Sequence, residues 1–371
     1  MIQKIISDHI KEFYDIGLPP NKLKAMFDII NCRTQALGSH IDICSNCGKI
    51  KISYNSCRNR HCPTCQNFSK EEWIEGRKQE LINTHYFHLV FTVPSELNEL
   101  IYNNQKEAYS LLFKCSYETI KELAADPKYL GAEIGATTVL HTWSQTLIYH
   151  PHVHMIVPGG GLTKCGLEFK KSNSKFFIPV RVMSKKFRGK FISLLKLKIK
   201  ENKVHLPKNT DLLKLKNLLY SKKWVVFCKK PFKKAEYVIK YLGRYTHKIA
   251  ITNNRIIKYK NNKITFKYKD NKLKNKPTKL MVLNANEFIR RFLLHVLPEK
   301  FIKIRHYGIL GNRNKKTKLK KCQMLTKTKL FPKLDKREIL KRIFGYDVLS
   351  CSFCGFKLVS RYFIEPKFGS T

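Results

Sequence analysis

The residues able to do chemistry fall into three groups. The first is a cysteine cluster in which Cys44-x2-Cys47 and Cys62-x2-Cys65 form two knuckles separated by fourteen residues. A C-x-x-C turn lets two thiolates converge on one cation, so two such turns supply the tetrahedral sulfur set of a structural Zn²⁺. Cys32, His40, Cys57 and His61 lie in the same span; they offer either a second Cys2His2 site or packing around the first. Arg58 and Arg60 flank Asn59 beside His61, which suggests a phosphate-facing surface, a solvated face being the plainer alternative. The second group is IYHPHVHMIV, a strand over Ile148–Val157 in which alternation puts His150, His152 and His154 on one face. Imidazoles on an otherwise apolar strand cost free energy unless compensated. They therefore point to a divalent cation, Mg²⁺ or Mn²⁺, with positions left open for a phosphate oxygen, as Lewis-acid catalysis requires. The third group is AEYVIKYLGRYTHK, where Tyr237, Tyr241 and Tyr245 recur every four residues and share a helical face. Such a stripe is ordinarily core packing. Here Lys240, Arg244, His247 and Lys248 surround it, and a phenol near cations and a metal-bound phosphate can ionise and attack phosphorus. Gly243 weakens the helix between Tyr241 and Tyr245.

Positioning these groups is the task of a 371-residue chain, long enough for two or three domains, whose 43% apolar residues exclude wholesale disorder. Its net charge of +45 suits polyanionic partners. The excess is local: residues 181–248 hold 21 Lys+Arg against 3 Asp+Glu, and 303–342 hold 15 against 2. Counterion release along a phosphate backbone would make such binding strong and salt-dependent. No apolar run reaches the ~20 residues of a spanning helix, and MIQKIISDHIKEF mixes Ile with charged residues at helical spacing, unlike a signal peptide. A cytoplasmic, nucleoid-associated protein without membrane contact is expected, its twelve cysteines serving as metal ligands or reduced thiols.

Two helices, over 2–13 and from Pro20 to about Ile30, lead into the cysteine cluster, which is short of large apolar residues and suits a unit held by metal. A boundary near 84 closes this zinc-binding unit. Beyond it the strand YFHLVFTV (Tyr86–Val93), a helix from Glu96 to about Ala125, the histidine strand, WVVFC (Trp224–Cys228), the tyrosine helix and a meander with Asn253-Asn254 and Asn261-Asn262 at its turns make a mixed α+β domain, mostly antiparallel, over 85–310. Residues 311–371 read as a basic extension. Its Cys351-x2-Cys354 is half of a zinc site with no evident second half, equally readable as free thiols.

The runs CRNRHCPTC, LGAEIGATTVLHTWSQTLIYHPHVHMIVPGGGL, YLGRYTHKIAITNNR and EFIRRFLLHVLPEKFIKIRHYG resemble the IS91 family of rolling-circle transposases, over about residues 10–310. The resemblance implies an N-terminal zinc-binding domain followed by an HUH (histidine, hydrophobic residue, histidine) endonuclease domain with the histidines at the centre of an antiparallel sheet. It places the HUH pair on His152 and His154 and paired nucleophiles on Tyr241 and Tyr245, with Tyr237 left as packing. Related nucleases carry a third metal ligand, for which Gln145 and His150 are the candidates. The implied reaction is nicking and rejoining of single-stranded DNA at element ends and target through a 5′-phosphotyrosine. A replication initiator or relaxase would share that chemistry, and a non-catalytic zinc-dependent nucleic-acid-binding protein would share the charge and cysteines.

Overall fold

Ile2, Ile5, Ile6 and Phe13 recur at helical spacing and form the buried face of α1 (Ile2–Tyr14), and Pro20 opens α2 (Pro20–Asn31) at the position where a missing N–H costs nothing. The chain then forms the hairpin β1 (Ser39–Cys44) and β2 (Ile50–Tyr54), helix α3 (Gln66–Lys78), strand β3 (Tyr86–Thr92), and helices α4 (Asn98–Asn103) and α5 (Gln105–Ala125). Strands β4 (Gly135–Trp143), β5 (Tyr149–Pro158), β6 (Gly160–Leu162) and β7 (Phe169–Lys171) follow, then α6 (Val180–Lys200), α7 (Leu212–Ser221) and β8 (Val225–Phe232). A meander of β9 (Ile256–Lys260), β10 (Lys263–Lys269) and β11 (Thr278–Asn284) runs into a helix over Ala285–Leu293, and β12 (Ile304–Gly308), a helix over Lys336–Phe344 and β13 (Leu358–Ile364) end the chain. This computed structural model describes residues 1–174, 177–232, 237, 238, 241, 243, 246, 249–271, 273 and 275–366. Among the described residues no helix is long and apolar enough to cross a membrane.

The fold is mixed α+β, as expected, and the ladders among the described residues pair antiparallel. Its central sheet has the order β12-β4-β5-β3-β8, which puts the histidine strand β5 in the middle. One face, with Phe87, Leu89, Phe91, Val153 and Met155, is sealed by α5 and α6 into the main core. Directly paired residues share a face, so the opposite face carries His152 and His154 of β5, His141 of β4 (paired with His152) and His88 of β3 (paired with Ile156). That face is crossed by α3: Ile74 packs with Ile156 and Val238, and Arg77 Nη1 lies 3.2 Å from His306 Nε2 on β12.

The β4–β5 connection sets the histidine register. Leu147 adopts φ +63° although it has a side chain, and it is fully buried. A left-handed leucine costs about 1–2 kcal/mol. Burial in the second core and a hydrogen bond from His295 Nε2 to the Leu147 carbonyl, 3.0 Å, hold it there. Asn261 and Asn262, at φ +50° and +57°, make the expected two-residue turn. Asn253 instead lies in a short 3-10 turn, where its Oδ1 accepts the Ile2 N–H.

Neither expected boundary separates packing units. Residues of α1 and α2 share one core with the meander and the Ala285–Leu293 helix. At the other end β13 pairs with β1 in a sheet of order β13-β1-β2, so the tail closes onto the zinc-binding unit.

Candidate active site and metal centres

Three imidazoles converge on the face of the sheet opposite the main core. His141, His152 and His154 bring one ring nitrogen each within 4.8 Å of one another. His152 Nδ1 lies 2.7 Å from the His150 carbonyl, which only accepts, so Nδ1 donates and the lone pair sits on Nε2, facing His154 Nε2 at 3.2 Å. His141 is buried and stacks on Trp143, with ring centroids 4.4 Å apart. Ring nitrogens turned toward a common point fit a divalent cation.

The third member of this set is His141, and both sequence candidates are displaced. Gln145 lies past the end of β4, where its Oε1 accepts from the Lys269 N–H at 3.5 Å and its carbonyl accepts from Arg255. His150 supplies its carbonyl to His152, and its ring stays outside the cluster. His141 joins the set through its pairing with His152 across the β4–β5 hairpin, whereas the sequence pattern marks a histidine strand in the β5 half alone.

Behind the cluster stands a histidine that spacing alone does not reveal. His88 is 3% exposed, and its Nε2 lies 2.9 Å from His154 Nδ1. On its other side Nδ1 lies 3.1 Å from the hydroxyl of Tyr241. Burial, with the nearby Lys229 charge, pushes His88 down to about 4, so it is neutral at ordinary pH. Lys229 Nζ also sits 4.9 Å from the centre of the Tyr241 ring, which packs against Phe232. Tyr241 is therefore tied to the histidine cluster. Tyr237 is 56% exposed, so the packing role expected for it falls to buried Val238. Tyr245, Lys240, Arg244, His247 and Lys248 lie outside the described residues. At Gly243 a Cβ would come within 2.3 Å of Ile74 Cδ1, so this glycine permits close approach to α3.

The cysteines regroup relative to expectation. Cys62 and Cys65 join Cys32 and Cys57, with sulfurs 3.5 Å (Cys32–Cys65), 3.6 Å (Cys57–Cys65) and 3.6 Å (Cys32–Cys62) apart. Cys44 and Cys47 instead meet Cys351 and Cys354. The single four-cysteine site expected from Cys44, Cys47, Cys62 and Cys65 therefore does not form. The reason is the length of the β1–β2 hairpin: Cys44 and Cys47 sit at its tip, beyond the Ile43–Ile50 pair, while Cys57 follows its base, the Ser39–Tyr54 pair. Four residue steps of strand hold those ends roughly 13 Å apart. Nor does a Cys2His2 site form. His40 Nε2 lies 3.6 Å from Asp42, and His61, pushed down to about 3 by burial, accepts the Leu297 N–H at its Nε2.

Arg58 is exposed on the surface, as a phosphate contact requires. Arg60 is not available for one. Its guanidinium donates to the carbonyls of Phe301 and Pro298, and burial lowers its pKa, so it staples the zinc-binding unit to the loop before β12.

A cysteine-rich N-terminal unit, a central sheet bearing clustered histidines and a strongly basic chain fit a DNA-processing protein, and comparison with known proteins narrows the class to transposases. Residues 135–318 match the family model described as a putative transposase, and residues 5–93 match that of the transposase zinc-binding domain. The chain is 44% identical to a putative transposase, y4qJ, of Sinorhizobium fredii over 309 residues, covering 81% of this chain and 77% of that one. It is 27% identical over 352 residues to the transposase for insertion sequence element IS801 of Pseudomonas savastanoi pv. phaseolicola, covering 92% and 84%. It belongs to the IS91 family of transposases, and DNA is its substrate. No solved structure matches it.

Proposed function

We propose that the chain nicks and rejoins single-stranded DNA at the ends of its element through a 5′-phosphotyrosine intermediate. The observation that carries this reading is the continuous contact from Tyr241 through His88 to the cluster of His141, His152 and His154. A divalent cation held by those three histidines would polarise the scissile phosphate and offset its charge. Mn²⁺ suits this donor set better than Mg²⁺, which demands near-ideal octahedral geometry and keeps its water.

The chain's own residues supply the rest. With His154 Nε2 turned to the cluster, its Nδ1 carries the hydrogen and donates to His88 Nε2. Neutral His88 then keeps its hydrogen on Nδ1 and donates to the Tyr241 oxygen. That donor stabilises negative charge on the phenol as it attacks phosphorus. The Tyr241 oxygen forms the new ester bond as the bond from phosphorus to the 3′ oxygen breaks, the phenol proton passes through water to that departing oxygen to leave a free 3′-OH, and the retained ester bond is later spent on strand transfer without a nucleotide cofactor. Tyr245, four residues on in the sequence, would serve the second attachment. The Cys32, Cys57, Cys62 and Cys65 set would hold a structural Zn²⁺.

The test is covalent capture on a single-stranded end oligonucleotide in Mn²⁺. Tyr241→Phe with Tyr245→Phe should form no adduct, and Tyr237→Phe should form it at the wild-type rate. An adduct mapped to any other residue overturns the nucleophile assignment, and wild-type cleavage by His152→Ala or His154→Ala overturns the metal assignment.

A further inference from the structure

The tail of the chain carries a cysteine pair that neither the transposase model nor the zinc-binding model covers. We infer that Cys44, Cys47, Cys351 and Cys354 form a second tetrathiolate zinc site, assembled from the two ends of the chain and separate from the Cys32 site. It stands independently of the nuclease reading.

Geometry is the first support. The sulfur separations are 3.3 Å (Cys44–Cys354), 3.5 Å (Cys47–Cys354) and 3.7 Å (Cys47–Cys351). Four sulfurs at about 2.3 Å from a tetrahedral Zn²⁺ would stand about 3.8 Å apart, close to these values, whereas a disulfide would need about 2.05 Å. The second support is that the two knuckles repeat each other. Cys44-Ser-Asn-Cys47-Gly48 and Cys351-Ser-Phe-Cys354-Gly355 share the pattern C-S-x-C-G, and both glycines take positive φ, +70° and +77°. In each the glycine N–H returns to the first cysteine's carbonyl, at 3.1 Å (Gly48 to Cys44) and 2.9 Å (Gly355 to Cys351). Backbone amides aim at the sulfurs: Cys47 and Asn46 at Cys44, Cys354 and Phe353 at Cys351.

The third support is what this end of the molecule lacks. Its cluster of buried side chains consists of Cys44, Cys351 and Leu358 with Cys354 packed against it. Ile50, Ile52, Tyr54, Tyr362 and Phe363 of the same three-stranded sheet are exposed. A sheet of three short strands with so small a buried cluster among the described residues needs another source of stability, and a metal centre supplies it in small units. On this account the segment carrying β13 belongs to the zinc-binding unit, pinned also by the Ser45 hydroxyl, which donates to the Lys357 carbonyl at 3.2 Å.

The experiment measures zinc per chain in full-length protein by atomic emission. Cys351→Ser with Cys354→Ser should lose one equivalent, Cys44→Ser with Cys47→Ser should lose the same one, and all four together should lose no more. Cys354→His, which keeps a ligand, should retain the equivalent and so distinguishes lost coordination from failure to fold. Protease should cut within 345–366 in the serine variants and not in the wild type. Wild-type zinc content in the Cys351/Cys354 variant, or loss of two equivalents in the fourfold variant, would overturn the inference.

Discussion

His88 touches two groups through two different nitrogens, and substitution can cut one contact at a time. In His88→Asn the side-chain amide overlays Nδ1, keeping a donor for Tyr241 and removing the contact to His154 Nδ1. In His88→Gln the amide overlays Nε2, keeping an acceptor for His154 and removing the contact to the Tyr241 hydroxyl. The wild-type contacts are 2.9 Å to His154 and 3.1 Å to Tyr241, at a residue 3% exposed, so little water is at hand to substitute for either. Loss of the partner behind a metal-bound histidine typically costs about 10–100-fold in metal affinity. Loss of a hydrogen bond to a developing charge costs about 1.5–3 kcal/mol, about tenfold or more in rate. His88→Asn should therefore bind Mn²⁺ about 10–100-fold more weakly by calorimetry, with adduct formation restored at saturating metal. His88→Gln should bind Mn²⁺ within about threefold of wild type yet form the Tyr241 adduct about tenfold more slowly at saturation. Measured in a Tyr245→Phe background, the rates report on Tyr241 alone. Equal metal affinities and equal rates in the two variants, or the reverse pattern, would refute the relay.

Arg60→Ala should destabilise the fold by about 1–3 kcal/mol in denaturant titration, because two carbonyls lose their donor. The slope of log affinity for single-stranded DNA against log salt should stay at the wild-type value, whereas losing a phosphate contact would lower it by about 0.7. Gly243→Val should cost about 1–3 kcal/mol through the clash with Ile74, and Ile74→Ala in the same chain should recover part of the melting temperature. Burial holds His295 down at about 4 against an ordinary 6.5, so the unfolded chain takes up its proton first. Its contribution, about 3 kcal/mol, is complete above pH 6.5 and is lost as pH falls towards 4. His295→Gln should flatten the fall in unfolding free energy over that window; an unchanged slope would count against the buried neutral imidazole.

What the sequence determined by itself is what fits within about ten residues. Alternation along Ile148–Val157 put His152 and His154 on one face, Asn261-Asn262 specified a tight turn, and the C-x-x-C pairs announced thiolate knuckles. Each depends on local backbone geometry, which neighbouring residues dictate. Tertiary structure decided which of these local pieces meet. His141 entered the histidine cluster through its register opposite His152, beside a strained turn at Leu147 that composition does not reveal. His88 and Tyr241 met because β3 lies beside β5 and α3 meets the tyrosine segment at Gly243. Arg60 and His61 became structural because the loop before β12 presented Phe301, Pro298 and Leu297 to them. The cysteine sets changed partners for the same reason. A ligand set closes through whichever strands the sheet brings together, and the pairing of β1 with β13 joins Cys44 to Cys354 across nearly the whole chain, a separation over which spacing carries no information.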